Sequence, residues 1–450
     1  MRTKFRKVVA ELAQDIQTGK LVPGDRLPTH RELAYRFGLS LGTATRVFAE
    51  LEAMGLTVGE VGRGTFVRMQ GEGRAVDFAL ADPDQSIVDF SLNRFILPEQ
   101  EAIFAGSVAR VLADKGCDSL DYRNSVGAEY DRYRIADWLN DDREGTPFDL
   151  AQLTICSGGQ HALMLALMSA CHAGQAVVVE DYTYPVVRLA CEMLHLDVVT
   201  VESDEEGICP ASLDALCEDE GVRMLFTMPN VQNPTSVTMS VKRRHAIADV
   251  LKKRNILALE DDAYGFLLEQ PPVSLCDLAP DHVFYSRTLS KSWAPGLRIC
   301  YLVAPKAFSR QIDKAQRATV WMSAPLMVSV ATELVATGHY EAVVSLKRRE
   351  IAKRQKIVRR VLGDLDLITD PRSMHVMLKL PSGIRTGEFL AALKERNVVA
   401  SPLRQFVASC DCVKVPEGIR LCIGSPSNRK SLEEALVCVH KALRSFDAAP

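Results

Sequence analysis

No run of apolar residues in this 450-residue sequence approaches the ~18 needed to cross a bilayer. The N-terminus, MRTKFRKVVAELAQD, is basic but offers only VVA before Glu11, so a secretory signal core is missing. Both absences predict a cytoplasmic protein with no membrane partner. There is no CxxC pair. The 12 cysteines are scattered, and only Cys410 and Cys412 lie close together, so neither a metal site nor a disulfide framework is expected. With 47% apolar and 25% charged residues, wholesale disorder is excluded as well. At roughly 100–200 residues per domain the length predicts two to four domains.

The net charge of −3 hides an asymmetry. Residues 1–68 carry +4 and the remainder −7. A small basic head on a large acidic body points to an anionic partner for the head alone.

The head reads as three helices and a hairpin. Residues 4–18 place Phe5, Val8, Val9, Leu12 and Ile16 on one helical face. Thr29 opens T-H-R-E, a capping box with Glu32, and Gly38 closes that short helix. Ser40 then caps LGTATRVFAELEAMG, whose inner face is Ala44, Val47, Phe48 and Leu51. Two helices meeting across a short Gly-containing turn form a helix-turn-helix. LTVGE and GTFVR, joined by the G-R-G turn at 62–64, add a hairpin wing. The second helix fits a major groove, where Ser40, Gly42, Thr43 and Thr45 can approach bases or phosphates. Arg31, Arg46 and Arg63 supply charge for phosphates, Arg63 from the wing tip.

These residues, LPTHRELAYRFGLSLGTATRVFAELEAMGLTVGEVGRGTFV, resemble the DNA-binding domain of GntR-family transcription regulators over nearly all of residues 1–68. Many members of that family carry Arg directly after the recognition-helix Ser. Here it is Leu41, which leaves Arg46 as the nearest cation.

Residues 69–87 read as a short linker, although VDFAL within them has strand character. The body, 88–450, alternates apolar strand-like runs with helical stretches, as in QLTICSG followed by HALMLALMSAC. This predicts an α/β fold with a mostly parallel sheet. Polar groups gather at the expected strand ends, where ligands of open α/β sheets bind. Ser157-Gly158-Gly159-Gln160 opens a helix, and the N–H groups of 158–160 can hold a phosphate with Thr288, Ser290 and Arg298. Lys291 beside that cradle suggests a Schiff base to an aldehyde cofactor. A carboxylate placed to meet a pyridinium nitrogen, from Asp261-Asp262, completes a description of pyridoxal 5′-phosphate, PLP.

The order of these motifs resembles the fold type I aminotransferases over most of residues 88–450. The resemblance implies that Lys291 in SKSWAPGLR binds the cofactor and that Asp261 meets the pyridine nitrogen. It implies that Tyr264 and Asn233 hydrogen-bond O3′ and that Tyr184 stacks on the ring. Arg420 in GIRLCIG would hold a substrate or effector carboxylate, a task suited to its planar fork. Tyr122 in LDYRNSVG would reach the phosphate of a neighbouring subunit, which implies a homodimer. Two positions depart from the family: NPTG is Asn233-Pro-Thr-Ser236 here, which puts that turn's backbone in question, and Arg123 replaces the usual Gly after Tyr122.

Both resemblances in one chain point to the MocR subgroup of GntR regulators. The expected function is transcription regulation on double-stranded DNA, with PLP or an amino compound sensed by the body. The alternative is a working PLP-dependent aminotransferase with an accessory DNA-binding head.

Overall fold

The computed structural model describes residues 2–17, 20–21, 25–53, 56–60, 64–67, 87–141, 143, 147–408 and 416–447. The chain divides into two units, Met1–Ala81 and Asp82–Pro450, each with its own core. Arg63 at the wing tip, the VDFAL stretch and the Cys410–Cys412 pair lie outside the described residues.

The first unit holds helices α1 (Arg2–Gln17), α2 (His30–Phe37) and α3 (Leu41–Ala53) and strands β1 (Thr57–Glu60) and β2 (Gly64–Val67), which pair antiparallel. The expected caps are made. Glu32 N–H donates to Thr29 Oγ1 at 3.3 Å, and Thr29 N–H donates to Glu32 Oε2 at 2.7 Å. Gly38 ends α2 in the left-handed conformation, φ 59°, and Ser40 Oγ accepts from Thr43 N–H at 3.2 Å. Val8, Val9 and Leu12 of α1 pack with Ala44, Val47, Phe48 and Leu51 of α3, all buried.

The second unit is built on a seven-stranded sheet. Its strands are β3 (Leu153–Cys156), β4 (Ala176–Glu180), β5 (Asp197–Val201), β6 (Val222–Thr227), β7 (Leu257–Asp261), β8 (Val283–Thr288) and β9 (Cys300–Val303). The spatial order is β3-β9-β8-β7-β6-β4-β5, and only β9 runs antiparallel to its neighbours. Side chains of β3, β4 and β9 are buried throughout, as expected for strands covered on both faces. Helix α4 (Gly159–Ala170) leaves the end of β3, and the short α5 (Leu289–Ser292) leaves the end of β8. The long α6 (His339–Leu362) leads to a second, antiparallel sheet. That sheet comprises β10 (Leu367–Ile368), β11 (His375–Lys379), β12 (Ser401–Pro402) and β13 (Gly418–Cys422), in the order β10-β11-β13-β12. Among the described residues no helix is long and apolar enough to cross a membrane.

The turn after Asn233 answers the question raised by its missing glycine. Ser236 adopts φ 64°, the conformation glycine would supply. A side chain there costs about 1 kcal/mol, and Ser236 Oγ recovers part of it by donating to Ser373 Oγ at 2.9 Å.

Candidate functional site

A cavity of about 140 Å³ opens at the carboxyl ends of the parallel strands. It is lined by Gly159, Gln160, Tyr184, Asn233, Asp261, Tyr264, Thr288, Ser290, Lys291 and Arg298, so ten of the expected site residues meet in one place. They arrive on several elements, Gly159 and Gln160 on α4, Asp261 at the end of β7, Thr288 at the end of β8 and Ser290 and Lys291 on α5, and the chemistry converges because the strands run parallel.

One end of the cavity is a cradle for an anion. Gly158 has φ 96°, and a Cβ there would fall on the Arg298 guanidinium. Only glycine lets the start of α4 and that cation share the space. Arg298 itself sits at φ 52°, a conformation unusual for a side-chain-bearing residue, and its Nη2 donates to Ser157 O at 3.3 Å. Thr288 Oγ1 caps α5 by accepting from Ser290 N–H at 3.2 Å. The start of α4, the Thr288 and Ser290 side chains and the Arg298 guanidinium line the same cavity, a set that suits a phosphate.

Sequence reasoning missed a supporting histidine. His161 Nδ1 accepts from Ser157 N–H at 3.1 Å, and its Nε2 pairs with Thr319 Oγ1 at 2.8 Å. Burial pushes His161 down to about 4, so the ring is neutral and Nδ1 stays an acceptor. It fixes the loop from which the cradle is made.

The same cavity carries Asp261 and Lys291. Ser286 Oγ donates to Asp261 Oδ1 at 3.4 Å. Burial, then the charge of Asp262, push the Asp261 carboxyl up to about 7, while Ser286 and Lys291 pull it down. A cationic ring nitrogen opposite Asp261 would favour the carboxylate by Coulomb attraction. Asp262 serves the framework instead: it accepts from Asn230 Nδ2 at 2.8 Å and from Tyr285 OH at 2.7 Å. Lys291 Nζ donates to Asn93 O at 2.7 Å. Burial, together with Arg420 and Arg298 and against Cys422 and Asp261, lowers its amine to about 8.

Asn93 is a second residue the sequence did not reveal. Its Nδ2 donates to Tyr264 OH at 2.7 Å and lies 3.4 Å from His375 Nδ1. His375 Nε2 is 3.0 Å from Gln232 O, and burial lowers its pKa to about 3, so the ring is neutral with its proton on Nε2. Tyr264 OH thus accepts from Asn93 and has its own hydrogen to give to the cavity. Arg420 Nη1 donates to Asn233 Oδ1 at 3.2 Å, and its Nη2 donates to Ser91 O. Arg420 Nε and Asn93 Oδ1 are buried and have no hydrogen-bond partner among the described residues. Neither Arg420 nor Asn93 lines the cavity itself; each reaches it through a lining residue, Asn233 and Tyr264. These features together fit a phosphorylated pyridine aldehyde and an amino acid partner.

Over residues 87–437 the chain matches the family described as aminotransferase class I and II. The chain belongs to that family. Residues 4–67 match the family of bacterial regulatory proteins named gntR, which gives the MocR-like order of a GntR head and an aminotransferase-class body. The chain is 27% identical over 456 residues to the HTH-type transcriptional regulator YdeF of Bacillus subtilis strain 168, spanning 98% of this chain and 94% of that one. It is 26% identical over 448 residues to the HTH-type transcriptional regulator TauR of Rhodobacter capsulatus, spanning 90% and 89%. The kynurenine aminotransferase of Pyrococcus horikoshii shares the fold of the body, with a TM-score of 0.74 at 23% identity over 81% of this chain and 92% of that one.

Within this aminotransferase-class body, Tyr122 does not join the cavity. It lies at the surface, 77% exposed, with its ring 6.4 Å from that of Trp321. In the GntR head, Arg31, Ser40, Thr45 and Arg46 are exposed and Thr43 is half-buried. Arg46 is not a free cation: its guanidinium lies over the Phe5 ring of α1, 5.0 Å from the centroid.

Proposed function

We propose that the protein is a PLP-dependent transcription regulator, with a head at 1–68 that binds double-stranded DNA, a linker at 69–87, and a body at 88–450 that binds PLP and an amino compound. The observation that carries this reading is the union in one chain of an exposed recognition-helix face and the Lys291–Asp261–Arg298 cavity. The match of the head to bacterial regulatory proteins supports a place of action on DNA in the cytoplasm. Lys291 takes the cofactor aldehyde, Asp261 the pyridine nitrogen, and Tyr264 and Asn233 the O3′ side. Tyr184 covers the ring. Gly158, Gly159, Gln160, Thr288, Ser290 and Arg298 hold the phosphate. Arg420 takes the effector carboxylate. PLP supplies an electron sink for bonds at the amino-bearing carbon of its partner.

The DNA side is tested by fluorescence anisotropy of the full chain on its own upstream region, with and without PLP and a trial amino acid. Arg31→Ala, on an exposed site of α2, is expected to lower the slope of log affinity against log salt by about 0.9 if it neutralises one phosphate. Unchanged affinity and footprint in every ligand state would remove the sensing claim. The aminotransferase reading uses the same Lys291, Asp261 and Arg420, and rapid conversion of amino acid with no specific DNA binding would promote it.

The exposed Tyr122–Trp321 pair supports the homodimer reading, in which Tyr122 serves a neighbouring phosphate across a two-fold interface. Sedimentation at micromolar concentration is expected to give a dimer. A monomer that binds PLP fully would overturn it.

A further inference from the structure

We infer that the recognition helix reads a thymine methyl group through Leu41, with Gly42 admitting the DNA to close range; this rests on the DNA-binding reading above. The hydroxyls expected to approach the DNA also bond within α3. Ser40 Oγ and Thr43 Oγ1 are hydrogen-bonded to each other at 2.8 Å, and Ser40 Oγ also accepts the Thr43 N–H. Thr45 Oγ1 donates to Leu41 O at 3.0 Å, which turns its hydroxyl toward the helix backbone. The hydroxyls of the first turn are therefore engaged within the helix.

Among the exposed residues of this helix, one is a large apolar side chain. Leu41 is 52% exposed, although Ala44, Val47 and Phe48 of the same helix are buried. Thr45 lies four residues on, on the same face as Leu41. Leucine has neither donor nor acceptor, so any base-edge contact it makes in the major groove is apolar. The apolar group on those edges is the thymine C5-methyl.

Gly42 gives an independent sign of a close partner. A Cβ at this position would meet nothing within 4 Å, and its φ is not in the left-handed range. Neither packing nor backbone conformation requires glycine here, and glycine weakens a helix relative to alanine. A ligand that approaches the helix surface does account for it. The head's +4 charge makes that ligand an anion, and the helix-turn-helix form makes it a duplex.

The test uses the full chain loaded with PLP and a duplex selected from randomised sequence. Each thymine is replaced singly by deoxyuridine, which deletes only the methyl, and affinity is read by anisotropy. One thymine per half-site is expected to cost about fourfold on methyl removal. Leu41→Ala should abolish that dependence without altering the fold, because the side chain is exposed. Leu41→Arg should move the preference at the same step to guanine. Gly42→Ala should raise the melting temperature of the head while weakening DNA binding, a combination that a purely structural glycine does not produce. Indifference to every methyl, or a uridine penalty that survives Leu41→Ala, overturns the assignment and leaves DNA binding intact. Failure to select any sequence overturns the DNA-binding reading itself, and this assignment with it.

Discussion

Replacing Lys291 with alanine is expected to abolish every borohydride-trapped adduct of PLP on the chain. The residue lies on α5, just past the end of β8, in the cavity with Asp261 and Arg298, and its Nζ is held by Asn93 O at 2.7 Å. The amine must shed a proton before it can bond to an aldehyde carbon. With its pKa lowered to about 8, about a tenth of it is neutral at pH 7, against roughly one part in 2,500 at the ordinary value near 10.4. Attachment of PLP to the apoprotein should therefore quicken about tenfold per pH unit below 8 and level off above it. Absorbance after rapid mixing gives the rate, and mass spectrometry after reduction gives the site. An adduct on another lysine in the Lys291→Ala variant, or a rate still climbing tenfold between pH 9 and 10, would show that the amine is misassigned. The cradle residues are untouched by this substitution, so reversible binding of PLP should survive it in weakened form.

The parts of this site that were legible in the sequence owe their legibility to local chemistry. Thr29 with Glu32, and Ser40 with Thr43, bond across three residues, so a cap can be read from a short window. Lys291, Asp261 and Gly158 stand directly after apolar strand runs, and a parallel sheet places strand ends together whatever the intervening length. Asn93 offered no such cue. Its partners Tyr264 and His375 lie 171 and 282 residues away, a pairing that no spacing rule contains. Ser236 shows the opposite case: the sequence lacked the expected glycine, yet the backbone takes φ 64° regardless, because the surrounding contacts determine the turn more strongly than the residue's preference does. Arg46 was legible as a cation but not as one engaged by Phe5, since ring contacts between separate helices leave no pattern along the chain.

Lys347→Met is expected to destabilise the body by about 2–4 kcal/mol and to lower the yield of trapped PLP, although residue 347 does not line the cavity. Lys347 is wholly buried in α6. Its Nζ donates to Trp293 O at 2.6 Å, to Lys291 O at 3.3 Å and to Phe95 O. Trp293 O keeps a second donor in Gln100 Nε2 at 2.9 Å, so the substitution strands chiefly the carbonyls of Phe95 and Lys291. Each buried orphan costs about 1–3 kcal/mol, partly offset because methionine needs no desolvation of charge. The same three bonds join α5, which carries Lys291, to the segment whose Asn93 O receives the Lys291 amine. Lys347 is thus a positioning residue. A sign of it did exist in the sequence: Val343, Lys347 and Ile351 fall on one stripe at i, i+4, i+8, so a lysine interrupts the buried face of an amphipathic helix. Burial, then the charge of Lys291, push Lys347 down to about 7, while three carbonyl acceptors, one for each N–H, favour the ammonium. Because the folded state holds this proton less tightly than the unfolded chain, stability should rise with pH between about 7 and the ordinary value near 10.4, with the full penalty present below that window. Lys347→Met should flatten that rise in thermal denaturation. Lys347→Arg should fail to restore the trapping yield, since a planar fork cannot meet three converging carbonyls. A methionine variant with wild-type melting temperature, wild-type pH dependence and full trapping would reduce Lys347 to a passive occupant of the core.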